Sequence, residues 1–329
     1  MMKIAMIGAS GHSGMYVPKR WKEEYSFVAI APGSRGEDVT PMLHRLQQTG
    51  YEVSLYSDYR KMLRVEKPDV AIVDNFYGEH GPVILDAFDA GCHVLAEKPV
   101  AANMEQLEQI REGWQRAGTT FSSMMTYRYD GAFYRAWQLV KEGAVGKVRL
   151  LNAQKSYKFG IRPDFMTRRE TYGGTLSWVG IHGIDWILWM SGGRFEAVTA
   201  VQSALDAPNG VCPETTALAQ FRMNDGMMAS LTVDYLNPKT APTHGDDRIR
   251  VVGTQGVLEV QGGRVTLINA QGVQCPDNLP STDMLEDFLC QAAGKGESHI
   301  RAQDVFAATQ GALLAQAAAD SGEIRYFDC

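Results

Sequence analysis

Two separated stretches of the chain carry residues able to hold or move a proton. The first is Glu97-Lys98-Pro99, which follows the apolar, strand-like run Cys92-His93-Val94-Leu95-Ala96. A lysine at the carboxyl end of a parallel strand stands on the rim where open α/β sheets bind ligands, so its ammonium can reach a small molecule. The second runs from Gly173-Gly174 to Asp185 and contains His182. On a helix from Trp178 to Trp189, steps of four, three and four put Trp178, His182, Asp185 and Trp189 on one face. An imidazole oriented by a carboxylate is a general acid/base pair. A satisfied structural histidine is the plainer alternative, and the tryptophans fit either ordinary core or a platform for the apolar face of a sugar ring.

A third signal lies at the start of the chain, Met6-Ile7-Gly8-Ala9-Ser10-Gly11-His12-Ser13-Gly14. Glycines between a strand and a helix leave backbone room for a diphosphate to approach the helix N-terminus, whose unpaired N–H groups favour negative charge. Ser10 stands where the second glycine of the usual fingerprint would be. The candidates for holding a dinucleotide are Gly8, Ser10, Gly11, His12 and Ser13 of this turn, with Asn75, His80, Glu97 and Lys98 on the same rim. After the second strand the chain reads Ala31-Pro32-Gly33-Ser34-Arg35-Gly36-Glu37. No acid follows the strand directly to receive ribose hydroxyls, and Ser34 with Arg35 suits a 2'-phosphate, which favours NADP over NAD. The opposing arrangement has Arg35 in solvent and Glu37 or Asp38 turned back. His80 either lines the nicotinamide pocket or caps the next helix. No His, Cys, Asp or Glu set has metal-ligand spacing, so no metal is expected.

The elements that must position these residues alternate at first between strand and helix: strands over 3–7, 27–31, 52–56, 70–73 and 93–96, with helices over 14–24, 41–48, 59–67, 82–90 and 104–117. That alternation calls for a parallel sheet wound on both faces. A strand over 120–125 leads out of this unit, and the boundary is expected at residue 121, giving domains 1–121 and 122–329. Beyond a helix over 132–141, strand-like runs over 148–157, 197–205, 215–223, 227–235, 248–252, 256–260 and 264–269 follow one another without crossover helices. They imply a large, mostly antiparallel sheet in an α+β domain. Helices over 281–294 and 302–321 close the chain.

At 329 residues the chain exceeds what one core usually organises, and 45% hydrophobic residues supply two. A net charge of -6 gives no general attraction to nucleic acid or anionic lipid. Five widely spaced cysteines without a C-x-x-C pair suit reduced thiols in the cytoplasm. No apolar run reaches membrane-spanning length, and the opening strand leaves no room for a secretory signal.

Taken together, the glycine turn, Glu97-Lys98-Pro99, Tyr127-Arg128-Tyr129, Gly146-Lys147-Val148 and the Gly173-Gly174 to His182 segment resemble the Gfo/Idh/MocA family of NAD(P)-dependent oxidoreductases. The resemblance extends over nearly the whole chain. It implies a Rossmann domain followed by a domain with an open sheet whose exposed face joins subunits, hence a dimer or tetramer. It also implies hydride transfer between nicotinamide and a sugar, cyclitol or related polyhydroxy compound, with Lys98 on the reacting oxygen, His182 exchanging its proton, and Asp185 positioning the substrate or His182. Tyr157, Arg162, Asp164, Arg168 and Trp178 are the substrate-side candidates. One position departs from the pattern. Many members carry an aspartate four residues before the histidine, where this chain has Trp178, whose indole donates a hydrogen bond but accepts no proton.

Overall fold

The computed structural model describes residues 1–18, 22–160, 164–205, 207, 214–280 and 282–327. The chain divides into two compact units, Met1–Met124 with Asp283–Phe306, and Met125–Thr282 with Ala307–Cys329.

The first unit holds a six-stranded parallel sheet in the order β3-β2-β1-β4-β5-β6, built from β1 Met2–Ile7, β2 Tyr25–Ala31, β3 Ser54–Leu55, β4 Val70–Val73, β5 His93–Ala96 and β6 Phe121–Ser123. The order reverses between β1 and β4, which is the switch point where such sheets receive ligands. β4 and β5 are buried almost throughout, as expected of strands covered on both faces. Helices α1 Thr40–Gln48, α2 Tyr59–Glu66, α3 His80–Asp89 and α4 Met104–Ala117 provide the connections. Asn103 caps α4 by accepting from Gln106 N, and Gly118 ends it in the left-handed region.

The helix expected over 14–24 is replaced by a single 3-10 turn, Ser13–Tyr16. Pro18 forces its predecessor away from helical backbone, and Val17 is extended at φ −103, ψ 123. The chain passes from the first unit to the second at Met124–Met125, near the boundary expected at 121, and Asp283–Phe306 groups with the first unit. Lys22 pairs with Glu286 at 2.6 Å, Ser122 donates to the Ile300 carbonyl, and Phe306 packs on Trp114 and Phe121.

The second unit is organised by a nine-stranded sheet, order β14-β13-β12-β11-β7-β10-β9-β8-β15. Its strands are β7 Val148–Ser156, β8 Phe195–Ser203, β9 Thr216–Met223, β10 Met228–Asp234, β11 Arg248–Gly253, β12 Gly256–Gln261, β13 Arg264–Asn269, β14 Gly272–Gln274 and β15 Arg325–Tyr326. Every neighbouring pair is antiparallel except β7 with β10. One face is covered by α5 Gly131–Lys141 and α6 Ile181–Ser191. The helix expected from Trp178 is not uniform: Leu176–Gly180 forms a π-helical turn before α6 begins. Wide turns of this kind are common at functional sites. Among the described residues, no helix is long and apolar enough to cross a membrane, and no group of three or more His, Cys, Asp or Glu is arranged to hold a metal.

Candidate active site

In the first unit the rim is assembled by the ends of β1, β2, β4 and β5. Gly8 has φ +86, and a Cβ there would lie 2.4 Å from the Asn75 backbone. The turn after β1 therefore packs directly on the end of β4, with Ser10 N donating to the Asp74 carbonyl at 2.8 Å. Glu37 turns back onto the turn. Its Oε1 accepts from Ala9 N at 2.9 Å and from the Ser10 hydroxyl at 2.5 Å, and its Oε2 accepts from Gly33 N at 2.9 Å and Ser34 N at 3.1 Å. Ser34 is buried, its hydroxyl oxygen accepting from Asn75 Nδ2 and Phe76 N, while Arg35 is exposed. Glu37 thus stands in the loop beside Ser34, with Arg35 exposed.

His80 is fully buried, with Nδ1 2.8 Å from the Pro99 carbonyl and Nε2 2.9 Å from the Asn75 carbonyl. Burial pushes its pKa down. It opens α3 and also ties the loop after β4 to the Lys98-Pro99 turn. Lys98 is 1% exposed. Its Nζ lies 4.0 Å from Glu97 Oε1, which also accepts from Lys98 N. Glu97 Oε2 accepts from His12 N at 3.0 Å and from the Tyr16 hydroxyl at 3.4 Å. Asn75 is buried, with Oδ1 lacking a hydrogen-bond partner.

In the second unit, α6 brings His182 and Asp185 inside, 4% and 1% exposed. The Asp185 carboxylate is clamped by Arg128, which donates from Nη2 at 2.6 Å and from Nε at 3.1 Å to both oxygens. The guanidinium also lies over the Trp189 ring, which stacks on Trp137 at 5.3 Å. Asp185 is therefore committed to a buried ion pair. The His182 ring meets Tyr127 edge to face at 5.3 Å.

Around Tyr127 is a cluster that joins the candidate Tyr157 to Lys155 and Asp247, which the sequence did not single out. Lys155, fully buried on β7, forms an ion pair with Asp247 at 2.8 Å. The Tyr127 hydroxyl donates to Asp247, and Lys155 Nζ donates to the Tyr127 oxygen. The same ammonium lies over the rings of Tyr127 and Tyr157, 4.1 and 4.2 Å from their centroids. Burial first, then the Tyr157 and Asp247 charges, push the Tyr127 pKa well up, so it acts as a phenol and not as a base. Tyr157 also faces the His244 ring at 5.1 Å. Trp178 is buried against Tyr172, which makes it core rather than an open platform. Arg168 is exposed, its carbonyl accepting from Thr171 N and Tyr172 N. Arg162 and the side chain of Asp164 lie outside the described residues.

Residues 2–124 match the model of an oxidoreductase family with an NAD-binding Rossmann fold, and residues 133–259 match the GFO/IDH/MocA C-terminal domain. The chain belongs to the Gfo/Idh/MocA family. A Thermotoga maritima protein whose structure is described as that of an oxidoreductase aligns with a TM-score of 0.95 at 40% identity, over 99% of this family member and all (100%) of that chain. The aldose-aldose oxidoreductase of Caulobacter crescentus shares the fold, with a TM-score of 0.82 at 20% identity and 99% of each chain covered. D-glucoside 3-dehydrogenase of Escherichia coli (strain K12) is 30% identical over 213 residues, 61% of this chain and 57% of that protein. Myo-inositol 2-dehydrogenase of Thermotoga maritima is 23% identical over 215 residues, 65% and 62% of the two chains. The match thus spans under two thirds of these curated relatives.

Proposed function

We propose that this family member is an oxidoreductase acting at a CH–OH carbon of a sugar, cyclitol or related polyhydroxy compound, with Lys98 and His182 handling the proton. The observation that supports it most directly is the build of the Lys98 turn. Glu97, held by His12 and Tyr16, stands behind the ammonium at 4.0 Å, while His80 pins the following Pro99 carbonyl. The residues fit a dinucleotide. The glycine turn is packed so tightly on β4 that no side chain is admitted at Gly8, leaving its backbone for a diphosphate, and Asn75 Oδ1 is a buried acceptor in need of a donor.

When bound, the coenzyme supplies the carbon that exchanges hydride with substrate. Lys98 donates to the reacting oxygen and stabilises charge growing on it. His182 takes or returns the hydroxyl proton, its ring orientation set by packing on Tyr127. The paired charges Arg128/Asp185 and Lys155/Asp247 stand around it as fixed polar structure.

For the coenzyme we favour NAD over the NADP expected from Ser34 and Arg35. Glu37 is the acid placed on the glycine turn, suited to receive ribose hydroxyls and opposed to a 2'-phosphate. Thermal-shift titration tests this, and a larger stabilisation by NADP than by NAD would reject it. A homo-oligomer is proposed through the outer face of the nine-stranded sheet, where register partners Leu150 and Met228, and Val201 and Leu218, are exposed. Sedimentation equilibrium showing a monomer at micromolar concentration would reject that.

The catalytic reading is tested by Lys98→Met and His182→Asn, assayed with a polyol and sugar panel under the preferred coenzyme. Each is expected to lose at least about 100-fold in turnover while still binding coenzyme. Turnover unchanged in both variants would overturn the proposal.

A further inference from the structure

β4 and β5 run parallel with Val73 opposite Ala96, so the residues that follow, Asp74 and Glu97, are set side by side by register alone. Glu97 N donates to the Val73 carbonyl and Asp74 N to the Ile7 carbonyl, both at 2.8 Å, which holds the two backbones at strand spacing. Both side chains are fully buried. Both also lie under Gly11, where a Cβ would stand 2.3 Å from Asp74 Oδ1 and 2.9 Å from Glu97 Oε2. The glycine turn therefore rests on two adjacent buried carboxyl groups, and each disfavours ionisation of the other.

The surrounding groups decide which one carries the charge. Glu97 is served by His12 N, Lys98 N and the Tyr16 hydroxyl, with the His12 ring at 3.3 Å and the Lys98 ammonium at 4.0 Å. Burial alone would raise its pKa, but His12 and Lys98 outweigh it and bring it to about 2. No donor reaches either oxygen of Asp74 with full hydrogen-bond geometry, and the nearby Gly11 N–H only partly offsets the effects that raise its pKa. Burial, then the charges of Glu97 and Glu37, push its pKa far up. An orphaned buried carboxyl beside an ionised one is what a proton held between them looks like when hydrogens are unseen. Neutralisation by a bound cation is the competing account, and no three-ligand group is arranged for one among the described residues.

We propose that Asp74 and Glu97 hold one proton between them beneath the glycine turn, and that this proton must be in place for the turn to accept a dinucleotide. Losing it puts a second anion directly under Gly11. The two carboxylates then repel, and the turn that must receive an anionic diphosphate loses its neutral floor. This rests on the coenzyme reading above. Other groups that titrate nearby are His12, Tyr16, Lys98 and Glu37, and the test isolates Asp74 from them.

NADH binding is measured by fluorescence from about pH 6 to about pH 10 for the wild type, Asp74→Asn and His12→Gln. The wild-type dissociation constant is expected to rise about tenfold per pH unit above the point where the proton is lost. Asp74→Asn, which is permanently neutral and nearly isosteric, should bind as the wild type does at neutral pH and stay flat above it, while His12→Gln keeps the alkaline rise. An Asp74→Asn profile that still climbs like the wild type overturns the proposal. So does an infrared spectrum of the free wild type lacking a neutral carboxylic-acid carbonyl band that Asp74→Asn removes. If that band is present and NADH binds at no pH, the coenzyme reading fails and takes the link to it down.

Discussion

Replacing Asp185 separates a structural from a catalytic account of the α6 carboxylate. Arg128 and Asp185 are 3% and 1% exposed, and their contact includes a 2.6 Å charge-assisted bond and two at 3.1 Å. Asp185→Ala takes this carboxylate away from the guanidinium over the Trp189 ring, and breaking a buried pair from one side costs about 3–5 kcal/mol. For a unit of this size each kcal/mol lowers the midpoint by about 2–4 °C, so the transition of the second unit should fall by about 6–20 °C. Removing both charges with Arg128→Met and Asp185→Leu should recover most of the loss, because the desolvation cost of the pair goes with it. Differential scanning calorimetry resolves both results. If Asp185→Ala keeps its midpoint within about 2 °C while turnover collapses, Asp185 works on substrate and the clamp is incidental.

Lys155→Met should destabilise the second unit by about 2–4 kcal/mol, less than a fully buried pair because Asp247 retains 15% side-chain exposure. Urea unfolding checks this, and a loss below about 1 kcal/mol would show that the cluster does not brace Tyr127. Glu37→Ser removes the carboxylate seated on the glycine turn, and the ratio of NADP to NAD dissociation constants should fall by about tenfold or more, roughly 1.4 kcal/mol. An unchanged ratio would mean that Glu37 plays no part in coenzyme choice.

The strands of both sheets were legible because their periodicity is strong. β4 and β5 are short unbroken apolar runs, and β9 alternates buried and exposed along its length. The two strands missed, Gly272–Gln274 and Arg325–Tyr326, are three and two residues long and sit on sheet edges, where little apolar pattern is required. Lys98 and His182 could be singled out as candidates from their local setting. The partners were not, since they arrive from elsewhere in the chain: Arg128 is 57 residues from Asp185, and Glu37 is 28 from Ala9. Lys155 left one trace. On β7 the inward positions run Leu151, Ala153, Lys155, and a lysine on the apolar parity of a strand signals a buried cation needing an acid.

The tryptophan at position 178 makes sense against this charge arrangement. A carboxylate four residues before His182 would be buried as Trp178 is, in a unit where Asp185 pairs with Arg128 and Asp247 with Lys155. A third buried anion would need a third counter-charge or a proton of its own. Trp178 instead fills its volume against Tyr172. Arg128 pairs with Asp185 and Lys155 with Asp247, and Tyr127 is held as a phenol.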